Sequence, residues 1–379
     1  MLNNKISKKL YLYKKGGIYR NPYKIDIRNG KYVFINKKKC INFASNDYLG
    51  IASSNKINQI VADSFFKFGT SSSSSRLISG NYSLINDAEK IYADYFGYED
   101  AIFFPSGYQA NLAVISALFQ EDDIVLFDKH IHSSIIKGII LSGARYMGFN
   151  HNSISHLKRR LSNLNNNRVS IITESLFSMD GDLLPIKQIK ELKKQHSFFC
   201  IVDEAHAFGV LGEKGRGISY GVADIAIGTF GKAFGFFGAF VLTTKDLKEY
   251  MFNFSSPLIY STAIPVAHAA ASIKILSVVS DSDEERNRLL DISNMAIERL
   301  KREGFSITGN AHIICIQIGD EKRSSRISQA LMERGIFLPA IRYPTVPLGK
   351  AILRISLTAM HKKEDIEYLI DNIRRIWIE

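Results

Sequence analysis

The chain has 379 residues, of which 46% are hydrophobic and 23% are charged, and its formal net charge is +12. This composition excludes an intrinsically disordered protein, and the length allows a large domain together with a smaller one. No apolar run approaches the ~18 residues of a transmembrane helix, so we expect no membrane partner.

The positive charge is concentrated near the N-terminus. Residues 1–39 hold twelve basic side chains and one acidic side chain, Asp26. Such a segment could bind nucleic acid, or it could attract an anionic substrate or an acidic carrier protein. Tyrosines and a strand-like run at 32–35 indicate a folded segment, so we favour a substrate or carrier and expect no nucleic-acid partner. For each single lysine, a solvated basic face is the plainest interpretation.

The cysteines indicate the compartment. Cys40, Cys200 and Cys315 are scattered and include no CxxC pair. They are typical of small buried residues in a reducing compartment, and we expect no metal site among them. The first residues lack the apolar core of a signal peptide. We therefore expect a cytoplasmic protein.

The first part of the chain predicts a hairpin, a helix and a loop. Strands over 31–36 and 40–43 flank a lysine-rich turn, and an amphipathic helix covers about 56–68. A run of five serines follows at 71–75. Such a run could be a flexible linker. Because it is short and bracketed by apolar helices, a loop ordered around an anion is the alternative.

From about Ser83 onward, helices alternate with short apolar runs that show little internal alternation, as strands buried on both faces should. The predicted strands cover 101–104, 124–127, 145–149, 169–173, 198–202, 225–228 and 239–242. This pattern predicts an α/β fold with a mostly parallel sheet covered on both faces. Ligands of such sheets bind beyond the carboxyl ends of the strands.

A smaller α+β unit is predicted after a long helical region from Pro265 towards Gly304. Its elements are a strand over 313–318, a helix over 325–334, a strand over 352–357 and a helix from Lys363. The prediction thus divides the chain into three parts. They are a basic segment with a hairpin (1–45), a large α/β domain (46–270) and a C-terminal α+β domain (271–379).

One lysine stands in a run that is otherwise suited to burial. The strand over 225–228 leads into Thr229, Phe230, Gly231 and Lys232. A buried ammonium is costly unless it is paired or used chemically, and one use is a Schiff base. The alternative is a lysine whose side chain extends from the strand end to the surface.

Polar residues also follow other predicted strands. Ser106, Gly107 and Tyr108 stand where a strand turns into a helix, and the start of a helix suits a phosphate. The same residues are also typical of ordinary helix capping. His130 and His132 follow the next strand, and an extended backbone would place both on one side, where either could stack on a flat ring. A lone histidine is more often structural.

Asp203 ends an apolar run, where an ionised carboxylate needs a cationic partner. A protonated pyridine nitrogen would be such a partner, and the carboxylate would strengthen the ring as an electron sink. His206, three residues on, could reach a ring substituent. Glu174, Ser178 and Asp180 could instead form a metal site with His206, but no second nearby histidine or cysteine supports that alternative.

Several separated motifs occur in an order that resembles the α-oxoamine synthases, which are pyridoxal 5'-phosphate (PLP) enzymes of the aspartate aminotransferase fold, fold type I. The motifs are SNDYLG at 45–50, SMDGD at 178–182, DEAH at 203–206, GEKGRG at 212–217, TFGK at 229–232 and IYST at 259–262. The resemblance covers nearly the whole chain. It implies a large PLP-binding domain with a mostly parallel mixed sheet and a smaller C-terminal α+β domain.

The resemblance implies a role for each candidate residue around the cofactor. Lys232 would bind PLP as a Schiff base and later move the proton of the substrate Cα. Asp203 would pair with the ring nitrogen, His132 would stack on the ring face, and His206 and Ser178 would contact the phenolate oxygen. The other implied residues of the cofactor pocket are Ser106, Gly107, Tyr108 and Thr229.

Four further residues would contact the substrates. Arg354 would hold the carboxylate of the amino acid in a bidentate pair. Thr345 would line the acyl-substrate side, and Arg20 aligns loosely with an arginine of the family's substrate entrance. Asn46, in the first motif, is also implied in substrate binding.

The implied reaction is the condensation of an amino acid with an acyl thioester, with loss of CO2 and of the thiol. Segments 340–347 and 353–361 resemble those of the family members that use L-alanine and a pimeloyl thioester, which implies these substrates, the thioester being carried by coenzyme A or an acyl carrier protein. Glycine- or serine-using reactions and amino-group transfer remain alternatives. The family's glycine-rich loop, here replaced by the serines, approaches the cofactor of a neighbouring subunit, which implies a homodimer with shared active sites.

Overall fold

The computed structural model describes residues 2–164 and 168–378. Its contacts group them into two compact units. The larger unit comprises Leu49–Ser178 and Leu183–Arg286, and the smaller unit comprises Met1–Tyr48, Met179–Asp182 and Asn287–Glu379. None of the described helices is both long enough and apolar enough to cross a bilayer.

The α-helices of the described residues are numbered in chain order. They are α1 (Leu2–Lys15), α2 (Asn55–Phe68), α3 (Ser83–Phe96), α4 (Gly107–Leu118), α5 (Ser133–Ser142), α6 (Ile154–Ser162), α7 (Ile186–Gln195), α8 (Lys245–Phe254), α9 (Ser256–Ile259), α10 (Val266–Ser280), α11 (Asp283–Arg302), α12 (Glu321–Glu333) and α13 (Lys363–Ile378). The long helical region predicted from Pro265 is in fact two helices, α10 and α11, separated at residues 281–282.

The strands are numbered in the same way. They are β1 (Ile27–Asn29), β2 (Tyr32–Ile35), β3 (Lys38–Asn42), β4 (Asp100–Phe104), β5 (Ile124–Asp128), β6 (Arg145–Phe149), β7 (Val169–Glu174), β8 (Phe199–Asp203), β9 (Ile225–Thr229), β10 (Ala239–Thr243), β11 (Ile307–Thr308), β12 (Ile313–Gly319), β13 (Ile336–Phe337), β14 (Ala340–Ile341) and β15 (Ala351–Ser356).

The larger unit is built on one mixed sheet with the strand order β4-β10-β9-β8-β7-β5-β6. β10 is antiparallel to both of its neighbours, and the other pairs are parallel. Every residue of β7 and β10 is buried, as their apolar sequences predict for strands covered on both faces. The predicted α/β fold with a mostly parallel sheet is confirmed, and β7, β8 and β9 end side by side.

The smaller unit contains two four-stranded sheets, β1-β2-β3-β13 and β11-β12-β15-β14. The predicted hairpin is β2 and β3, and its turn consists of Asn36 and Lys37, both with positive φ, 50° and 64°. Two successive residues of this kind suit the right-handed twist of a hairpin. β3 also pairs in parallel with β13. This pairing places the N-terminal residues in one unit with the C-terminal residues, whereas the sequence-based division separated them at residue 45.

The serine run is an ordered loop of the larger unit. The Ser72 hydroxyl donates to the carbonyl of Ile264, and the Ala263 amide donates to the Ser74 carbonyl over 2.9 Å. Ser75 forms a β-bridge with Thr262. Three of the five serines are therefore bonded to a distant segment, which is not the behaviour of a flexible linker.

Candidate active site

A pocket of about 200 Å³ lies in the larger unit at the carboxyl ends of β7, β8 and β9. This volume is several times the share of one water molecule in the liquid. Eight of the nine residues predicted to bind the cofactor line it. They are Gly107, Tyr108, His132, Ser178, Asp203, His206, Thr229 and Lys232.

Asp203, the last residue of β8, is held in place by two donors. Its Oδ2 accepts a hydrogen bond from the Asn111 side-chain amide over 2.9 Å, and its Oδ1 accepts one from the Ala205 backbone over 2.9 Å. The residue is 7% exposed. Hydrogen bonds from amides favour the ionised form of a buried carboxylate. The pocket therefore contains a fixed negative charge that could hold a protonated ring nitrogen.

His132 caps the N-terminus of α5. Its Nδ1 accepts from the Ser134 backbone amide over 3.3 Å. Burial lowers the pKa of the imidazole below its ordinary value, and the charge of Lys232 lowers it further while Asp203 opposes the shift. The ring is therefore neutral at physiological pH, which suits a group that would lie flat on an aromatic cofactor.

Lys232 is presented by a tight turn after β9. Phe230 and Phe234 are fully buried on either side of it and pack against Phe240 with ring centroids 5.1 and 5.6 Å away. Gly235 closes the turn with φ of 61°, where a Cβ atom would lie 2.4 Å from the backbone nitrogen of Ala52. The apolar residues thus fix the turn, and the half-buried lysine lines the pocket.

The start of α4 forms one wall of the pocket. A Cβ atom built on Gly107 would have a single neighbour within 4 Å, Cβ of Thr229 at 3.9 Å, so the backbone there is open. An open helix N-terminus is suited to a phosphate. The Ser106 hydroxyl accepts from the Gln109 amide over 3.2 Å as the cap of α4. Ser106 thus performs the capping role that the sequence offered as an alternative.

His130 is placed differently from His132. The residues after β5 form a turn at 129–130 and not the extended backbone that the sequence suggested. His130 therefore stacks on His151, with ring centroids 4.2 Å apart, and only His132 lines the pocket.

Two polar side chains that line the pocket were not predicted to bind the cofactor. Asn111 follows Gly107 by one helical turn, so helical spacing could have placed it on the same face of α4. Glu174 was considered only as a metal ligand. It is the last residue of β7, is 2% exposed and stands opposite Asp203 in the β-ladder. Burial raises its pKa well above the ordinary value, Asp203 raises it further, and Lys232 opposes both.

The four predicted substrate residues belong to the smaller unit and form two pairs. Nη2 of Arg20 donates to Oγ1 of Thr345 over 2.8 Å. Nη1 of Arg354 donates to Oδ1 of Asn46 over 3.4 Å, and Arg354 is 8% exposed. Burial raises the pKa of the neighbouring Tyr48 phenol to about 12, although Arg354 acts against this shift. Tyr48 therefore stays neutral beside the guanidinium.

The chemistry of the pocket fits PLP. A fixed carboxylate, a neutral imidazole face, an open helix start and an amine correspond to the ring nitrogen, the ring face, the phosphate and the aldehyde of that cofactor. Two further polar atoms of the pocket residues, Oδ1 of Asn111 and Oε1 of Glu174, are buried without a hydrogen-bond partner among the described residues. Such atoms are costly in a finished protein core, so they are typical of a site that receives a polar ligand.

The chain is similar to known proteins along almost its whole length. A sequence model of the family described as aminotransferase class I and II matches residues 38–373. An 8-amino-7-oxononanoate synthase of Trichlorobacter lovleyi is 37% identical over 98% of this chain and 97% of its own. One of Thermosipho melanesiensis is 36% identical over 96% and 95%.

Solved structures are similar as well. A serine palmitoyltransferase of Sphingomonas wittichii matches with a TM-score of 0.90 and 28% identity, covering 98% of this chain and 96% of its own. An 8-amino-7-oxononanoate synthase of Francisella tularensis matches with a TM-score of 0.78 and 32% identity, covering 89% and 97%.

Proposed function

Because the chain belongs to the aminotransferase class I and II family and, within it, to the PLP-dependent α-oxoamine synthases, we propose that it condenses L-alanine with a pimeloyl thioester. The products are 8-amino-7-oxononanoate, CO2 and the free thiol, and the reaction is a step of biotin biosynthesis. The observation that carries this proposal is the 36–37% identity to proteins of that name over nearly the full length. Such an enzyme would act in the cytoplasm.

PLP, when bound, supplies an electron sink for negative charge at the substrate Cα. Asp203 would hold the proton of the ring nitrogen, since the Asn111 and Ala205 amides orient its carboxylate. His132 would cover the ring face and exclude water from it. Lys232 would carry the cofactor on its ε-amine, take the proton from the substrate Cα and later return one there. His206 and Ser178 would donate to the phenolate oxygen.

The guanidinium of Arg354 would orient the amino acid through its carboxylate. A planar guanidinium can make two parallel hydrogen bonds to a carboxylate. Asn46 and Ser356 accept hydrogen bonds from the same nitrogen of Arg354, so the side chain has a defined direction before the substrate arrives. This preorganisation reduces the entropy lost on binding.

Arg20 and Thr345 would stand on the path of the acyl donor. Arg20 also lines a cavity of about 620 Å³ in the smaller unit, together with Arg326 and Arg342. Three guanidinium groups suit the phosphate groups of coenzyme A or of a carrier's pantetheine arm. The five lysines of α1 are exposed nearby in sequence and would favour an acidic carrier protein.

The homodimer remains a proposal with support from the surface of the larger unit. Phe66, Ile78 and Tyr260 are 96%, 82% and 83% exposed. Large apolar side chains this exposed are typical of a surface that a partner covers. Ile78 and Tyr260 also lie next to the bridge between Ser75 and Thr262, which supports a second copy close to the serine loop. Ile78→Asp with Tyr260→Asp should halve the mass in solution, and a dimeric double variant would contradict this surface.

The decisive test is turnover of the purified, PLP-loaded protein. L-Alanine is supplied with pimeloyl-coenzyme A or with the pimeloyl carrier protein, and the product is identified by its mass. We expect 8-amino-7-oxononanoate from at least one donor and a loss of at least about a hundredfold in Lys232→Ala. A wild-type rate in Lys232→Ala, or no product from either donor, would contradict the proposal. Neutralising Lys37, Lys38 and Lys39 tests the carrier separately, because it should slow only the carrier-linked reaction.

A serine-using enzyme is the second candidate, because the serine palmitoyltransferase matches this fold with a TM-score of 0.90. The same assay separates the two. L-Serine with palmitoyl-coenzyme A replaces L-alanine with the pimeloyl thioester, and glycine with acetyl- or succinyl-coenzyme A completes the series. We expect the alanine reaction to have the highest kcat/KM.

A further inference from the structure

A continuous chain of hydrogen bonds connects the predicted stacking histidine with the predicted ring-nitrogen carboxylate. Nδ1 of His132 lies 2.7 Å from Oγ of Ser134. The same Oγ lies 3.0 Å from Nδ2 of Asn111, and that nitrogen lies 2.9 Å from Oδ2 of Asp203. Ser134 is fully buried and Asn111 is 2% exposed, so water does not compete for these bonds.

The carboxylate of Asp203 determines which group donates in each of these hydrogen bonds. An ionised Asp203 can only accept, so the amide of Asn111 must turn its NH2 group towards it. One amide hydrogen then serves Asp203 and the other serves Oγ of Ser134. A hydroxyl has a single hydrogen, and Ser134 is left with that hydrogen free to donate to Nδ1 of His132.

Nδ1 of His132 therefore receives two donors, the Ser134 hydroxyl and the Ser134 backbone amide, which is 3.3 Å away. A ring nitrogen that accepts hydrogen bonds cannot carry a proton. The proton of the neutral imidazole must then be on Nε2, and the tautomer of a histidine is generally set by the bond that its other nitrogen makes.

The charged and titratable groups around His132 agree with a neutral ring. The carboxylate of Asp203 and the amine of Lys232 act on the imidazole in opposite directions, and its burial lowers its pKa. The His132 backbone amide donates to Glu174, and burial raises the pKa of that carboxyl well above its ordinary value. The ring of Tyr108 stands edge-on to the imidazole, with centroids 6.4 Å apart.

We propose that Asn111 and Ser134 are positioning residues that hold His132 as the neutral Nε2–H tautomer and couple its state to the carboxylate of Asp203. This inference rests on the cofactor pocket of the proposed function but not on the identity of the substrates. Asn111 is the junction, because one amide group is bonded to both Asp203 and Ser134. A change in the protonation of Asp203 therefore changes the hydrogen bonds that His132 receives, and a change in the tautomer of His132 changes those of Asp203.

The test is ¹⁵N NMR of the PLP-loaded protein labelled at histidine, with the His132 signals assigned by their loss in His132→Asn. In the wild type we expect Nδ1 without a proton and Nε2 with one. Ser134→Ala removes a donor to Nδ1, so the Nδ1–H tautomer should appear and the pKa of His132 should rise by about one unit, the worth of one hydrogen bond. Asn111→Leu should change the same signals through Ser134 and Asp203, the two residues to which the Asn111 side chain is bonded.

Ser134→Thr, which keeps the hydroxyl, should restore the wild-type tautomer. Ser116→Ala is the matched control, since its hydroxyl lies on α4 and donates to Leu112 within that helix. A proton on Nδ1 in the wild type, or unchanged His132 signals in both Ser134→Ala and Asn111→Leu, would overturn the proposal. Failure of the alanine assay would leave these NMR results intact, so the two proposals fail separately.

Discussion

Glu174 and Asp203 are partners in the ladder between β7 and β8, and both carboxyl groups enter the same buried pocket. Asp203 accepts two amide hydrogen bonds, whereas one oxygen of Glu174 has no partner among the described residues. Two adjacent buried acids do not both ionise readily. The pocket therefore combines one carboxylate that two donors hold in place with one acid whose pKa is raised, chiefly by burial.

Replacing Glu174 with glutamine tests this division of roles. The unfolded chain releases the Glu174 proton near its ordinary pKa of 4.5, while the folded chain keeps it because its pKa there is raised. Above the unfolded pKa the folded state binds more protons, so this group's contribution to stability falls as pH rises. Glutamine has no such proton, so the Tm of Glu174→Gln relative to the wild type should increase as the pH is raised above about 5.

The control for that experiment is Glu191→Gln, which removes an exposed acid on α7 that pairs with Lys194. The difference in Tm between Glu191→Gln and the wild type should not change with pH over the same pH range. Because glutamine preserves the neutral form of Glu174, the variant should also bind PLP nearly as well as the wild type. A Tm difference for Glu174→Gln that is independent of pH would contradict the raised pKa.

Arg354→Lys should separate the two substrates. Lysine keeps the charge but offers a compact ammonium in place of the planar fork, so the bidentate contact with the amino-acid carboxylate is lost. We expect the KM for L-alanine to rise by about tenfold or more, with a small change in the KM for the acyl thioester. Steady-state kinetics with each substrate varied in turn measures both. Arg375→Lys, at an exposed arginine in the last turn of α13, is the control. Equal rises in both KM values would show that Arg354 has a different role.

Glu89 should be among the most sensitive buried residues for stability. It is fully buried, pairs with Arg76 through both oxygens at 2.7 and 3.0 Å, and pairs with Lys248 at 2.9 Å. Removing one partner of a buried ion pair leaves the other charges uncompensated and costs about 3–5 kcal/mol. Glu89→Ala should therefore lower the urea midpoint strongly. Asp94→Ala breaks an exposed pair on the same helix and should change stability by less than about 1 kcal/mol.

Ser73 occupies a left-handed backbone conformation with φ of 53°. This conformation costs an ordinary residue about 1–2 kcal/mol, more for a β-branched one, and glycine escapes the cost. Ser73 already bears this cost, so Ser73→Gly should raise the free energy of unfolding by up to about 1 kcal/mol, whereas Ser73→Val should lower it, because this conformation is still less favourable for a β-branched residue. Ser79→Val, in the same loop at an ordinary φ, is the control. Equal stability of Ser73→Val and Ser73→Gly would show that the loop adapts.

The sequence predicts the central sheet well because each strand is a short apolar run between helices, and the strand ends then indicate the pocket. Helix α1 was not predicted, although Leu2, Ile6 and Leu10 recur at helical spacing, because polar and basic residues dominate the segment and the helix buries no residue. The two-residue strands β11, β13 and β14 are too short to show a pattern in the sequence. β11 and β14 are defined by pairing with the next strand along the chain, and β13 by pairing with the distant β3. The bond from Ser134 to Asn111 likewise depends on how α4 and α5 pack, which spacing along one helix cannot show.

The five serines have a practical consequence for anyone who divides or modifies this chain. Judged by amino-acid sequence alone, residues 71–75 are the obvious place to insert a tag, to join two fragments or to expect cleavage by a protease. Their bonds to residues 262–264 close a loop of nearly two hundred residues that contains every strand of the central sheet. A cut or insertion there would break the contacts that close this loop. Fragments of the protein should therefore keep residues 71–75 intact.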